Sequence, residues 1–228
     1  SLLYTLNRTV GSCAQYTCAG AHPPRPAFRL LGRFREGKSM RMKTPRIEPL
    51  RESDWSEATA ALLAPIAKRG RGLNIFRTLA QHSDLARRWM VFANHILGKS
   101  TLSGRDRELL ILRIGYLCQA EYEWGQHVEI ARRIGMSDAE ILAAKTGPET
   151  EGISELDRLL LRATDELHSD AHVSDATWSG LSEHYSTQQL MELVFTVGQY
   201  NLVSMALNSF GVQLDEGIGG WDIGGGSK

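Results

Sequence analysis

Apolar side chains recur at every third or fourth position between about residues 53 and 211, which is the period of an α-helix. Short polar stretches that open with serine separate the apolar ones, and Ser103, Ser137 and Ser154 each stand three residues before an acidic side chain. That spacing is typical of the capping box that starts a helix. Alternating apolar and polar runs, which indicate strands, are nearly absent. The pattern therefore predicts an all-α protein with short connections between its helices.

The two ends of the chain lack this periodicity. Residues 1–42 hold several prolines and are rich in arginine, so we interpret them as a disordered or artefactual N-terminal extension, with an organelle transit peptide as the alternative. Residues 216–228 contain repeated glycines, which predict a flexible tail.

The charges of the 228-residue chain sum to zero but are unevenly distributed. Residues 1–47 carry nine of the 26 Lys and Arg residues and one of the 26 acidic residues, so the rest of the chain is acidic. An acidic body argues against nucleic-acid binding, which needs clustered positive charge. No apolar run approaches the roughly 20 residues of a membrane span, and three cysteines make no disulfide framework. We therefore expect a soluble, cytoplasmic protein with no membrane partner.

One acidic residue interrupts the most apolar of the predicted helices, "RELLILRIGYLC". Glu108 shares a helical stripe with Ile111 and Leu112, so its carboxyl group points toward apolar surroundings. Arg107 and Arg113 lie off that stripe and are expected to reach solvent. Burial would push Glu108 toward its neutral form. The alternative for this side chain is a structural salt bridge to Arg113 or another arginine.

A second polar intrusion follows in "CQAEYEWGQH". Glu123 and His127 form an i, i+4 pair on the face that continues through Ile130, close enough to share a hydrogen bond. Burying ionisable groups is costly unless they are paired. A continuous helix would hold the two intrusions far apart, so we predict a break near residues 116–119 that brings Glu108 to face Glu123 and His127. Glu123 would then lie in the first turn of its helix, where the dipole favours negative charge.

Two carboxyl groups and an imidazole in one dry place form a set suited to general acid–base catalysis. The alternative is a satisfied polar pair in a subunit interface. A metal site built from the same three side chains is disfavoured, because it lacks a second histidine. Tyr122 and Trp124 are candidate substrate-binding residues, with packing as the alternative, and a contribution of Tyr200 or Asn201 to the pocket stays open.

The spacing of these residues resembles that of the carboxymuconolactone decarboxylase family, which includes the alkylhydroperoxidase D-like (AhpD-like) proteins. The peroxidase branch has the pattern Glu…Cys-x-x-Cys-x-x-x-His, and the corresponding positions here are Glu108, Ala120, Glu123 and His127. The segments "ARRIGMSDAEI" and "VSDATWSGL" add to the resemblance. It covers about residues 45–215, which we take as the helical domain.

The resemblance implies an AhpD-like helical bundle, assembly into a homotrimer or homohexamer, and a pocket around the Glu and His positions. It also implies decarboxylase (lyase) chemistry on a small carboxylated or lactone substrate, without metal or organic cofactor, with Glu108, Glu123 and His127 as catalytic residues. Both family cysteines are replaced, so family-type peroxidase or peroxiredoxin activity is disfavoured, since it needs a thiol pair. Weak redox activity through Cys118 and a non-catalytic oligomeric binding protein remain the alternatives.

Overall fold

A computed structural model describes residues 41–67 and 73–223. Within these ranges it contains nine α-helices and no strand, which confirms the predicted all-α class. The helices are α1 (Glu57–Ala67), α2 (Asn74–Leu79), α3 (Ser83–Gly98), α4 (Gly104–Leu117), α5 (Glu121–Arg133), α6 (Asp138–Thr146), α7 (Glu155–Asp170), α8 (Asp175–Ser182) and α9 (Thr187–Phe210). The predicted N-terminal extension lies outside the described residues except for its last two positions.

Serine side chains start the helices at the predicted places. The hydroxyl oxygens of Ser103 and Ser154 accept hydrogen bonds from backbone N–H groups in the first turns of α4 and α7. Ser137 and Glu140 form a complete capping box at the start of α6. These bonds satisfy N–H groups that have no partner within the helix, and each such cap contributes about 1 kcal/mol.

Helix α4 is the centre of the domain. It packs against α5, α6, α7 and α9, and all eight residues from 108 to 115 are buried. Its apolar members lie in a cluster that also includes Trp124 of α5 and Leu160 of α7. Each fully buried leucine or isoleucine stabilises the fold by about 2 kcal/mol relative to an exposed one.

The helical path is interrupted between α4 and α5, near the predicted residues 116–119. Cys118 caps α4, Gln119 adopts a left-handed conformation with φ of 52°, and α5 begins two residues later. The turn folds α5 back against α4, with Gly115 beside the side chain of Glu123. Glu123 lies in the first turn of α5, as the sequence predicts.

The sequence analysis expected Arg113 to reach solvent, but the structure buries its side chain. Its guanidinium group forms a bidentate ion pair with Asp165 of α7, with N–O distances of 2.6 and 2.8 Å. It also donates to the carbonyls of Ala144 and Lys145 near the end of α6. The carboxylate and the negative end of a helix dipole compensate the buried charge, which a single-helix pattern does not reveal.

By length and composition, helix α9 is long and apolar enough to cross a membrane. The sequence analysis expected no segment of this chain to approach the length of a membrane span. One such helix is weak evidence for a membrane span, and just over half of its most apolar stretch is buried inside the domain. It packs mainly against α4, which is the role of a core helix.

The sequence predicts a flexible tail from residue 216, but in the structure side chains of residues 216–223 pack against the helices. The ring of Trp221 packs edge-on against Tyr116 and at a tilt against Trp124, and the side chain of Ile223 belongs to the core cluster. Apolar burial of these two side chains holds a segment whose glycines suggested mobility. Residues 224–228 of the predicted tail lie outside the described residues.

Candidate acid–base site and cavity

A cavity of about 800 Å³ lies between α2, α3, α5, α9 and the segment that follows α9. Most of its wall is apolar or aromatic, including Phe76, Trp89, Leu97 and Ile130. Cavities of this size and lining are typical of small-molecule sites. Glu123 and His127 of α5 line it as well, so the predicted pocket exists beside two of the three predicted catalytic residues.

The imidazole of His127 lies between two carboxyl groups. Its Nδ1 is 2.5 Å from Oε2 of Glu108, and its Nε2 is 2.9 Å from Oε1 of Glu123. All three side chains are buried, and that of Glu108 is completely shielded from solvent. The structure therefore brings the three residues together as the sequence predicts.

The charges around His127 favour its protonated form. Burial by itself lowers the pKa of His127, but the negative charges of Glu108 and Glu123 and the hydrogen bonds to both raise it to about 10. Arg107 places its guanidinium 3.3 Å from the other oxygen of Glu108. The four groups thus form a chain of alternating charge, Arg107, Glu108, His127 and Glu123, whose sum is zero.

The three predicted catalytic residues differ in their access to the cavity. Glu123 and His127 face it, whereas Glu108 lies behind His127 and does not contribute to the lining. Glu108 is therefore placed to hold and charge the imidazole, and Glu123 is placed to meet a ligand.

The two predicted substrate-binding residues take opposite places. Tyr122 lines the cavity, and its hydroxyl donates a hydrogen bond to Asp215 at 2.6 Å. Trp124 lies on the other side of α5, fully buried against Tyr116 and Trp221. Trp124 lies two residues from Tyr122 on the helix and therefore points into the core. Its role is packing, which was the alternative to substrate binding.

The cavity also has residues that the sequence analysis did not single out. Tyr200 of α9, which was left open, lines the cavity and packs its ring edge-on against His127 at 4.9 Å between centroids. Burial and the nearby carboxylates raise the pKa of Tyr200 well above its ordinary value, so its phenol stays neutral. Gln126 and Asp215 complete the polar lining around Tyr122. Of these cavity residues, only Gln126 had a signal in the sequence, namely its i+3 spacing from Glu123.

The surroundings of Cys118 favour its protonated thiol. Its Sγ donates to Oδ1 of Asn201 at 3.0 Å, and burial raises the pKa of the thiol to about 11. A protonated thiol is a poor nucleophile. Cys118 is the one cysteine in the part of the chain that the structure describes, so no resolving thiol is found there.

Both ring nitrogens of His127 are engaged by carboxylates, which leaves none free to bind a metal ion. In residues 41–67 and 73–223 no cluster of three or more His, Cys, Asp and Glu side chains has the geometry of a metal site.

The fold matches known structures of the AhpD-like class. A peroxidase-related protein from Ralstonia eutropha JMP134, an alkylhydroperoxidase AhpD core, has a TM-score of 0.67 and 18% identity, over 75% of this chain and 93% of its own. A peroxidase-related protein from Silicibacter sp. TM1040 has a TM-score of 0.63 and 14% identity, over 81% and 96%. A debrominase, Bmp8, in complex with a tribromopyrrole has a TM-score of 0.63 and 17% identity, over 76% and 94%.

Residues 83–150, which include all three residues of the charged set, match the carboxymuconolactone decarboxylase family. No curated protein matches the chain. The chain thus has the all-α fold of the AhpD-like structures, and its residues 83–150 resemble the carboxymuconolactone decarboxylase family, as predicted. In that resemblance, Ala120 and Glu123 correspond to the two cysteines of the peroxidase branch.

Proposed function

We propose that this protein is an enzyme that moves protons on a small lactone or carboxylated substrate, with Glu123 as the reacting acid–base group. The observation that carries the proposal is the cavity of about 800 Å³ that reaches the buried pair of Glu123 and His127. The chemistry uses the side chains of the chain itself and calls for no cofactor. The predicted cytoplasmic location rests on the cysteine count alone.

The roles follow from access and charge. Glu123 faces the cavity and exchanges a proton with the substrate. The negative charges of its two carboxylate neighbours keep His127 protonated. It supplies or recovers that proton along the 2.9 Å contact with Glu123. Glu108 fixes the imidazole from behind, because a ring bonded through both nitrogens cannot rotate. This arrangement replaces the thiol pair of the peroxidase branch with a carboxylate and a proton relay.

Decarboxylation is the reaction that the family resemblance favours. The bond between the carboxylate carbon and its neighbour breaks, carbon dioxide leaves, and a carbonyl group of the substrate takes up the electron pair to form an enolate. The proton that the remaining carbon needs comes from His127 through Glu123, and water restores it to the imidazole. The apolar cavity wall favours the charge-dispersed enolate over the compact carboxylate, which lowers the barrier.

The similarity to a debrominase solved with a tribromopyrrole supports the use of this fold for small ring compounds. Debromination is not our proposal for this chain, because no thiol lines the cavity among the described residues.

The experiment starts with a thermal-shift screen of lactones and carboxylic acids, since a ligand of the native state raises its melting temperature. Turnover of each ligand is then measured for the wild type, Glu123→Gln and His127→Ala. We expect kcat to fall about 100-fold or more in both variants.

Glu129→Gln is the matched control, because this glutamate lies on the same helix and pairs with Arg132 outside the cavity. It should keep the wild-type rate. Undiminished turnover in Glu123→Gln and His127→Ala would disprove the assignment. Loss of stability in both, with no ligand found, would favour the non-catalytic binding protein.

A further inference from the structure

The chain folds back along α5 after α9 and forms one wall of the cavity. Residues 215–223, which we call the C-terminal strap, contribute Asp215, Glu216 and Ile218 to the lining. The strap is therefore part of the surface that a ligand in the cavity would touch.

Asp215 fastens the near end of the strap. Its carboxylate accepts three hydrogen bonds, from the backbone N–H of Asn74 at 2.8 Å, the hydroxyl of Tyr122 at 2.6 Å and the side-chain amide of Gln126 at 2.8 Å. These donors belong to α2 and α5, so one side chain joins three walls of the cavity. Bonds to a charged acceptor are roughly twice as strong as neutral ones.

The middle of the strap lies against the backbone of α5 at Gly125. A Cβ atom at this position would be 2.9 Å from Cγ2 of Ile218 and would overlap the carbonyl oxygen of Gly219. Any larger residue at position 125 would therefore push Ile218 away from the helix. The close approach explains a glycine within the buried part of α5, where it is otherwise unfavourable.

The far end of the strap is held by the core. The ring of Trp221 packs against Tyr116 and Trp124, with centroid distances of 5.6 and 5.9 Å. Ile223 is buried, and its carbonyl accepts a hydrogen bond from Arg132. With both ends fixed, the position of Ile218 between them is fixed as well.

We propose that the C-terminal strap determines which substrates fit the cavity, with Ile218 as the specificity-determining side chain and Asp215 as the residue that positions it. The inference rests on the proposed function, because it assumes that the cavity is the substrate site. It narrows the substrate class to compact lactones or carboxylic acids whose remaining surface is largely apolar and whose size is limited by Ile218.

The proposal is tested with two neutral probes of different size, indole and Nile red. Their dissociation constants are measured by titration calorimetry for indole and by fluorescence for Nile red. The ratio of the two constants reports the shape of the cavity, and a general loss of stability does not move it. The full-length chain is used throughout.

Ile218→Ala enlarges the cavity and should raise the preference for Nile red over indole at least five-fold. Ile218→Trp fills the space and should lower that preference by a similar factor. Asp215→Asn, which places an amide N–H against the donors of Tyr122 and Gln126, loosens the strap and should act like Ile218→Ala. Gly125→Ala displaces Ile218 directly and should do the same.

Gly98→Ala is the matched control, because a Cβ at this helical glycine meets no atom within 4 Å. It should leave the probe ratio unchanged. If Gly125→Ala does not fold, the two Ile218 variants still decide the question. Unchanged ratios in both, or no binding of either probe to the wild type, would overturn the proposal.

Glu123→Gln separates this inference from the proposed function. Should Glu123→Gln retain full turnover while the Ile218 variants shift the ratio, the acid–base assignment fails and the strap remains the specificity wall.

Discussion

Charge balance at individual residues is what allows three ionisable groups to share a dry site. His127 touches two carboxylates and Glu108 touches two cations, so no charge in the row is left without an opposite neighbour. Removing one partner from such a buried set typically costs about 3–5 kcal/mol, because another charge loses its compensation. The site is therefore stable only with its full set of charges, which ties the proposed chemistry to the fold.

The stability of the protein should depend on pH through His127. The pKa of this histidine rises from its ordinary 6.5 to about 10 in the folded state. The folded state thus holds the proton more tightly than the unfolded chain. The resulting stabilisation is complete below pH 6.5 and is lost as the pH rises toward 10.

We expect the free energy of unfolding of the wild type to fall, relative to His127→Gln, as the pH is raised through this window. Urea denaturation at a series of pH values measures both proteins, and their difference removes the contribution of the other titrating groups. A difference that stays constant from pH 6.5 to pH 10 would show that His127 is not held as a cation.

At the level of elements, the site depends on the turn between α4 and α5. Gln119 and Ala171 are the two residues other than glycine with positive φ in the described ranges, at 52° and 55°. Each follows the last turn of a helix, where glycine is the usual residue. The left-handed conformation costs residues with a side chain roughly 1–2 kcal/mol.

Gln119→Gly and Ala171→Gly should each stabilise the protein by about 0.5–1 kcal/mol, because relief of backbone strain exceeds the entropy that glycine adds to the unfolded chain. Urea denaturation gives the values. Ala139→Gly, at an exposed helical position, should instead lose up to about 1 kcal/mol. Destabilisation by both left-handed substitutions would contradict this view of the turn.

The helices and the charged set were predictable because their signals are local. Serine caps identify the starts of α4, α6 and α7. Glu123 and His127 lie one turn apart on the same helix. The break before α5 followed from the need to bring Glu108 to this pair. Asp215 could not be found in this way and the contribution of Tyr200 stayed open, since both reach the site from positions more than 70 residues away along the chain.

The same limit explains the errors. Gly-rich sequence in the tail signals flexibility locally, but Trp221 and Ile223 find apolar partners on distant helices. Arg113 looked solvated on its own helix because its carboxylate partner, Asp165, belongs to α7. Local patterns give the elements, whereas contacts between elements decide which side chains are buried.

For the molecule as a whole, α9 carries an apolar stripe that nothing in the described chain covers. Met191, Phe195, Leu202 and Met205 follow helical spacing along one face, and each is more than half exposed. Phe195 packs edge-on against Phe92 of α3, whose neighbour Val91 is 72% exposed. Contiguous exposed apolar surface of this kind marks interaction sites in soluble proteins.

We propose that a second copy of this chain covers the stripe, in the homotrimer or homohexamer that the family resemblance implies. Phe195→Glu combined with Leu202→Glu should reduce the mass in solution to that of one chain, 25.3 kDa, because two carboxylates would be buried without partners in the interface. Light scattering coupled to size-exclusion chromatography measures it. Leu142→Glu, at an exposed leucine of α6 that is 46% accessible, should keep the wild-type mass. A wild type that runs as a monomer, or a double variant that keeps the oligomeric mass, would show that the stripe has another role.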